Sequence, residues 1–527
     1  MTRTQNSFAN ALTGIGSSLL IILLNFVTRT VFVRTLGTSY LGIEGLFSNI
    51  LSLLSLTDLG LGTAIIYKLY KPIEENDRQR ILVLLKLYRQ AYLLVGAVIV
   101  ALGLLLIPFL PHLVRNYGRF AELGLNPILI FLIYLLNTAS SYWFFAYKAS
   151  FVQANQKSYL ITVTSYALNV LSAILQIVSL AVFRSFLLYL AVSWFSTVLY
   201  GILASVICDR RFPYVREKTA DHVSREELRD FAKDCGALMI YQVHNVVINS
   251  TDNIVLSAVI GLDAVGLYAN YLVVKNSLRN ILTTVMLAFQ ASLGSLNSVG
   301  NLDWSRLVFR AVNLLTVWLY GVAAIGSAVL LDDFLTLWIG SDFVLSQWTF
   351  RGVTFAAPVA LAIGVEFYII GYRQFFAAFR NSMGLFRQMQ YRPIASVIVN
   401  LVVCIPCVYV LGPLGCVLST IVAGLTTNMI FDPVIIHRYG LKSAMRPYIA
   451  RNAVYALVVA VSGFLCWKIC SFITAVGVFG FLLRGFVCAL LPSALLALCF
   501  FRTEEFAFLW NTGRSLLRGG GKPASDQ

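Results

Sequence analysis

Apolar residues recur along the chain in long windows separated by short polar stretches. They fall at about 11–33, 41–67, 90–111, 126–147, 159–182, 186–207, 236–260, 264–295, 308–331, 352–376, 393–411, 414–436, 453–474 and 479–501. Because about 20 mostly apolar residues cross the hydrocarbon core as a helix, the pattern predicts fourteen spans and an all-α polytopic membrane protein. The windows at 41–67 and 264–295 contain charged or polar residues, so each must tilt or protrude if it is one helix. The first window is too long for a signal-peptide core and no small-residue cleavage site follows it, so it reads as a retained span.

Composition agrees with this pattern. Of 527 residues, 58% are hydrophobic and 12% charged, and the mean hydropathy is +0.79. These values exclude an ordinary cytosolic enzyme and a disordered chain. The net charge of +16 reads as the Lys/Arg bias of cytoplasmic loops, not as nucleic-acid binding, since no long basic surface remains once the spans are set aside. With the N-terminus inside, the cytoplasmic gaps collect Lys68 to Arg89, Arg210 to Lys233 and Arg438 to Arg451, while the outer gaps hold few bases and carry Asp332, Asp333 and Asp342. A missed span would invert this bias downstream, so both termini are expected in the cytoplasm.

Sliding the second half against the first brings them into register at an offset of 224 residues. Asn25 falls on Asn249, Val31 on Val255, Gly37 on Gly261, Gly42 on Gly266 and Leu54 on Leu278. Six spans is an even number, so both copies enter the membrane in the same sense and are related by a pseudo-two-fold axis along its normal. The expected organisation is a six-helix lobe at 1–208, a cytoplasmic linker at 209–235 and a second six-helix lobe at 236–437. A cytoplasmic connection at 438–452, two additional spans within 453–501 and a cytoplasmic tail at 502–527 follow. Ser224 and Glu227 have capping-box spacing, which predicts a short helix leading into the seventh span. Two equivalent lobes suit alternating access, with the substrate held between them.

The stretch Leu36 to Ile73, LGTSYLGIEGLFSNILSLLSLTDLGLGTAIIYKLYKPI, resembles the second-span signature of bacterial polysaccharide repeat-unit flippases. These are the Wzx-type members of the multidrug/oligosaccharidyl-lipid/polysaccharide exporter superfamily. Asn249 to Val274, NSTDNIVLSAVIGLDAVGLYANYLVV, is similar to the matching part of their second half. The resemblance implies a transporter, not an enzyme, that moves undecaprenyl-diphosphate-linked oligosaccharide from the inner to the outer leaflet of the bacterial plasma membrane. It also implies a polysaccharide polymerase and glycosyltransferases as partners in surface polysaccharide export.

Intramembrane ionisable residues are costly, so they face a partner, water or the protein interior unless they lie near enough to an end to snorkel. Ser18, Asn25, Thr28 and Arg29 lie along one stripe of the first span, and Asn245, Asn249, Asp252 and Asn253 share a face of the seventh. Lys275 and Arg279 sit roughly 17–23 Å from the outer end of the eighth at 1.5 Å rise per residue, too deep for easy snorkelling. A diphosphate loses its hydration on entering the membrane, and fixed cations offset part of that cost. Arg29, Arg34, Lys275 and Arg279, with Asn25 and Asn249, are therefore the expected substrate-binding residues. Snorkelling to the outer interface is the alternative for Arg29 and Arg34. The related lipid II flippases use basic residues in the first, second and eighth spans, whereas the second span here has only Lys68, at its cytoplasmic end.

Energy coupling is assigned to Asp252, beside which Asn249 and Asn253 offer carbonyl oxygens for Na⁺, or whose carboxylate takes H⁺. The alternative is an ion pair with an eighth-span base. Glu366, near the middle of the tenth span, likewise either titrates or forms a structural ion pair, and Glu44 carries the same two readings. Arg373 and Arg380 follow Glu366 at intervals of seven and read as anchors near the cytoplasmic end.

No catalytic or metal site is expected. The four histidines are dispersed, no HExxH, GxGxxG or Walker sequence occurs, and Cys404 and Cys407 read as core-packing residues. Two other functions compete with the flippase. A small-molecule exporter of the same superfamily would want central acids to bind a cation, and a membrane-embedded polymerase or ligase would want a long outer loop. The longest outer loops, about 112–125 and 332–351, are short.

Overall fold

The computed structural model describes residues 21–55, 68–69, 72–114, 117–144, 146–155, 157–217, 229, 246–248, 250–296, 302–345, 349–350, 353–354, 356–383, 385, 388 and 391–517. Each of the fourteen apolar windows contains helix in its described part, and the one at 352–376 begins with the short strand Val353–Thr354. The first, second, seventh and eighth contain α1 (21–36), α2 (Thr38–Leu54), α8 (246–259, Asn249 excepted) and α9 (Leu262–Leu296). Among the described residues, nine helices are long and apolar enough to cross a membrane, or ten when the bent pair Pro127–Trp143 and Tyr147–Ala154 is one span. The helix expected from Ser224 lies outside the described residues. Among the described residues, strand is confined to a hairpin of two short strands, Thr349–Phe350 against Val353–Thr354.

Packing divides the chain into two compact units, Met1–Ala269 and Asn270–Gln527. In the first, the helix starts are set by local chemistry. Asp77 caps α3 (Arg78–Leu106) by accepting from the Arg80 amide at 2.9 Å. Asn126 caps α4 (Pro127–Trp143), accepting from the amides of Ile128 and Leu129 at 3.0 and 3.2 Å, with proline as the first helical residue, where no amide hydrogen is needed. α5 (Ala146–Ala154), α6 (Ser158–Ala181) and α7 (Phe186–Arg211) complete this part. Tyr88, Phe151 and Cys208 are fully buried where α3, α5 and α7 meet.

The same unit shows the repeat in three dimensions. Gly37 breaks α1 from α2 at φ +90°, and Gly261, 224 residues later, breaks α8 from α9 at φ +127°. The two breaks lie against each other: Gly42 packs on the backbone of Leu262, and Gly266 on the backbone of Thr38. Since 262 is 38 plus 224 and 266 is 42 plus 224, each contact is the repeat image of the other, as in a contact about a two-fold axis. Ser39 also donates to the carboxylate of Asp263, again its repeat mate.

The second unit is built on α10 (Leu302–Ile339) and α11 (Ala356–Met383). Gly371 lets α11 close on the Tyr320 ring, and Gly364 lets it close on the Ala324 carbonyl. At 38 residues, α10 is about 57 Å long, well beyond the hydrocarbon thickness, and its C-terminal part carries Asp332 and Asp333. α12 (Arg392–Leu411) turns through Gly412 into α13 (Pro413–Leu441), which contains two π-helical stretches, Gly424–Asn428 and Ile436–Leu441.

α14 (Met445–Phe472) and α15 (Gly477–Phe500) form the last long hairpin and expose Phe464, Phe472 and Phe479, an apolar surface suited to lipid. The segment expected as a tail starts with a helix instead, α16 (Glu504–Leu517). It is docked on α10 by stacking of Phe506 on Trp318 and on α14 by the buried Glu505, 2.7 Å from Arg451.

Candidate functional site

The Gly37 break folds α1 back on α2, so residues equally far from it in sequence sit at similar depth. Arg29 precedes Gly37 by eight residues and Glu44 follows it by seven, which places both about 10–12 Å from the turn. They meet there: Arg29 Nη1 is 3.1 Å from Glu44 Oε2. The other carboxylate oxygen accepts from the Tyr189 hydroxyl of α7 at 3.0 Å. The Phe32 ring packs edge-on to Tyr189, with centroids 5.0 Å apart. Thr28 is buried on the same side, whereas Asn25 and Arg34 are exposed. The first-span stripe therefore divides into a buried, paired part and an exposed part. Asn249 lies outside the described residues, while Asp252 and Asn253 are buried in α8.

In the second unit, Lys275 stands about 20 Å along α9 from Leu262. Its ammonium donates to both oxygens of Glu366 on α11, at 2.9 and 3.0 Å. The two side chains are 9% and 5% exposed, so neither charge is held by water. The expected partner search for Glu366 thus ends inside its own unit, 91 residues away in sequence. Lys275 is a compensated cation in this state, and any anion that binds it competes with Glu366.

One helical turn beyond Lys275, Arg279 is half-buried. Its charge acts on Arg373 of α11, which lies in the combined field of Arg279, Arg392 and Glu366. The anchor reading of Arg380 does not hold: its side chain is buried, not extended to an interface. Arg392, the first residue of α12, is also buried. It donates to Asn428 and lies 3.1 Å from the carboxylate of Asp432. Asp432 was the signal for this cluster, being the one acid in the twelfth apolar window. Asn428 and Asp432 are four residues apart across the regular α-helical turn that follows the π-helical stretch, so they share a face of α13 and reach the same neighbour.

The arrangement can compensate negative charge within the membrane. Along α9, α11, α12 and α13, after the first turn of α9 and before the last turn of α13, there are five cations (Lys275, Arg279, Arg373, Arg380 and Arg392) and two acids, Glu366 and Asp432. A site for an exported cation would need the opposite balance.

A family model described as "Polysaccharide biosynthesis protein" matches residues 7–293. Among solved structures, the inward closed conformation of lipid II flippase MurJ aligns with a TM-score of 0.66 at 14% identity, covering 93% of this chain and 98% of that one. An inward-facing multidrug resistance MATE family transporter of the MOP superfamily aligns at 0.61 and 14% identity, covering 82% and 99%. A MOP superfamily transporter from Pyrococcus furiosus, described by the reverse polarity of its binding pocket, aligns at 0.54 and 13% identity, covering 81% and 94%. At these identities the likeness is one of fold. No curated protein matches the chain.

Proposed function

From its membership of the polysaccharide biosynthesis protein family, we propose that this multi-pass membrane protein is a transporter that flips undecaprenyl-diphosphate-linked oligosaccharide repeat units from the inner to the outer leaflet by alternating access. The observation that carries this reading is the charge at mid-membrane depth, where Lys275, Arg279 and Arg373 stand with Glu366 as their acid. Guanidinium and ammonium groups outside water bind phosphate oxygens strongly, and they replace the hydration that a diphosphate loses on leaving the head-group region. Arg29 supplies a further cation in the first unit, held in reserve by Glu44 and Tyr189. Exposed Arg34 adds a weaker contribution at the end of α1.

The setting is the bacterial plasma membrane, with both termini cytoplasmic, and the working partners are the polymerase and glycosyltransferases of surface polysaccharide export. Na⁺ or H⁺ coupling is assigned to Asp252, buried in α8. Glu366 is assigned to holding Lys275, not to coupling, because both of its oxygens are engaged. A small-molecule cation exporter of the same fold is disfavoured by the excess of bases.

The test is transport of a fluorescent undecaprenyl-diphosphate oligosaccharide in reconstituted vesicles, read by accessibility to an impermeant quencher. Protein-dependent redistribution between leaflets is expected, and loss of the protein in cells is expected to leave repeat units on the inner leaflet. Accumulation on the outer leaflet would identify a polymerase defect and defeat the flippase reading.

A further inference from the structure

α14 carries Cys466 and Cys470, four residues apart and so on one face of the helix. Cys488 of α15 meets both from the neighbouring helix. Its sulfur is 4.0 Å from that of Cys470, and it interacts with the Cys466 thiol as well. All three side chains are buried. Cys466 donates to the Val487 carbonyl at 3.8 Å and Cys470 to the Arg484 carbonyl at 3.9 Å, so both α14 thiols are turned onto α15. The transport reading uses none of these residues.

Filling space between two helices asks only for small apolar side chains. Three sulfurs turned towards one another are in addition a set of soft donors. A thiolate bonds a d¹⁰ metal ion at about 2.3 Å, and two such bonds set 120° apart hold their sulfurs about 4.0 Å from each other. That is the separation of Cys470 and Cys488, with Cys466 one turn away as the third donor.

The surroundings select the ion. Ile325, Val329, Leu330, Val459, Val487 and Leu491 pack around the thiols and offer no side-chain oxygen or nitrogen. Asp333, whose charge reaches Cys470, is held by Arg484. Zinc would lack its fourth ligand and a hard cation its oxygens, whereas a soft monovalent ion is satisfied by sulfur alone. Such an ion displaces one thiol proton, so it enters without adding net charge to an apolar site. Cys470 stands in the last turn of α14, beside the partly exposed Arg484–Asp333 pair, which gives the ion a short way in.

We infer that Cys466, Cys470 and Cys488 form a metal site for a soft monovalent ion, Cu(I) or its analogue Ag(I), held by three sulfurs. The bound ion ties α14 to α15 and braces the last hairpin against α10, where Ile325 packs on the thiols.

The experiment uses the purified full-length protein in lipid nanodiscs, reduced and kept free of oxygen. Cu(I) is supplied from a chromophoric chelator, and binding is read by the chelator's absorbance and by the ultraviolet absorption of copper–thiolate bonds. Binding of Cu(I) with a rise in the unfolding midpoint is expected. Cys466→Ser, Cys470→Ser and Cys488→Ser are each expected to lower the affinity by about a hundredfold or more, since loss of even a hydrogen-bond partner of a metal ligand costs about ten- to a hundredfold. Cys208→Ser, in the first unit, and Cys499→Ser, at an exposed position, are expected to leave it unchanged.

No uptake of Cu(I), or equal weakening by Cys208→Ser and Cys470→Ser, would overturn the site. Retention of Zn²⁺ in preference to Cu(I) by the same three thiols would overturn the choice of ion. A mass two units low in the reduced protein, lost in Cys470→Ser and in Cys488→Ser, would show a disulfide in place of a metal site and overturn it too.

Discussion

Gly42 and Gly266, 224 residues apart in sequence, are repeat mates that occupy the same crossing: each lies against the backbone that precedes the other by one helical turn. A Cβ on Gly42 would come within 2.7 Å of the Leu262 carbonyl carbon, and one on Gly266 within 2.8 Å of the Thr38 carbonyl carbon. Backbones in a membrane approach this closely only through small residues. The pairing of Ser39 with Asp263 beside them gives the crossing a polar link that packing alone lacks. Any motion that separates α2 from α9 must break both.

Gly42→Ala and Gly266→Ala are each expected to destabilise the protein by about 1–3 kcal/mol, since the added methyl meets backbone that cannot rotate away. The double variant is expected to cost less than the sum, because both substitutions spoil one shared contact. Gly326→Ala on α10, where a Cβ meets nothing within 4 Å, serves as the control and is expected to leave stability unchanged or slightly raised. Thermal unfolding in one detergent measures all four, and equal midpoints across the set would refute the crossing.

Glu44→Gln and Arg29→Ala are expected to diverge. Arg29 and Glu44 side chains are 14% and 25% exposed, between the limits of surface and buried pairs, so breaking the pair costs about 1–2 kcal/mol in either variant. Transport should nevertheless fall only with Arg29→Ala, because Glu44→Gln leaves the guanidinium available to an anion. Vesicle flipping rates normalised to folded protein provide the measurement.

The spans and the repeat were legible because both are written in local pattern: twenty apolar residues make a crossing without help from any distant residue. The depth of Lys275 was legible for the same reason, as was the choice of Glu366 as an ion-pair candidate. Their pairing was not, since 91 residues, including the whole of α10, separate them along the chain. Arg392 stands one residue before the window at 393–411, and its burial shows only in the packing of α13. α16 was missed because its short amphipathic run, bounded by Glu504 and Leu517, has too little apolar length to stand out beside transmembrane windows. The Gly42/Gly266 register was visible in the sequence, while the fact that the two mates touch was not.

Lys275→Ala alone is expected to destabilise the protein by about 3–5 kcal/mol, because it strands Glu366 as an unpaired buried acid. Glu366→Gln combined with Lys275→Gln should restore most of that loss while leaving transport impaired. If the double variant recovers full transport, Lys275 serves only to hold Glu366. Unfolding midpoints and flipping rates on the same preparations separate the two roles.

The last prediction concerns orientation, which the Lys/Arg bias sets. Arg216 follows α7 with its side chain 65% exposed, in the connection expected inside, while Ser341 lies just past the end of α10, in a loop expected outside. On a background with exposed Cys499 replaced by Ser, a cysteine at Ser341 should react with a membrane-impermeant maleimide in intact cells. A cysteine at Arg216 should react only after permeabilisation. An odd number of crossings separates the two positions under a fourteen-span topology, so labelling of both from one side would require a span to be gained or lost between them. Reversed labelling would instead keep the span count and invert the protein, placing Arg380 and Arg392 at the outer face. Both termini would then lie outside, and the topology read from the Lys/Arg bias would be wrong.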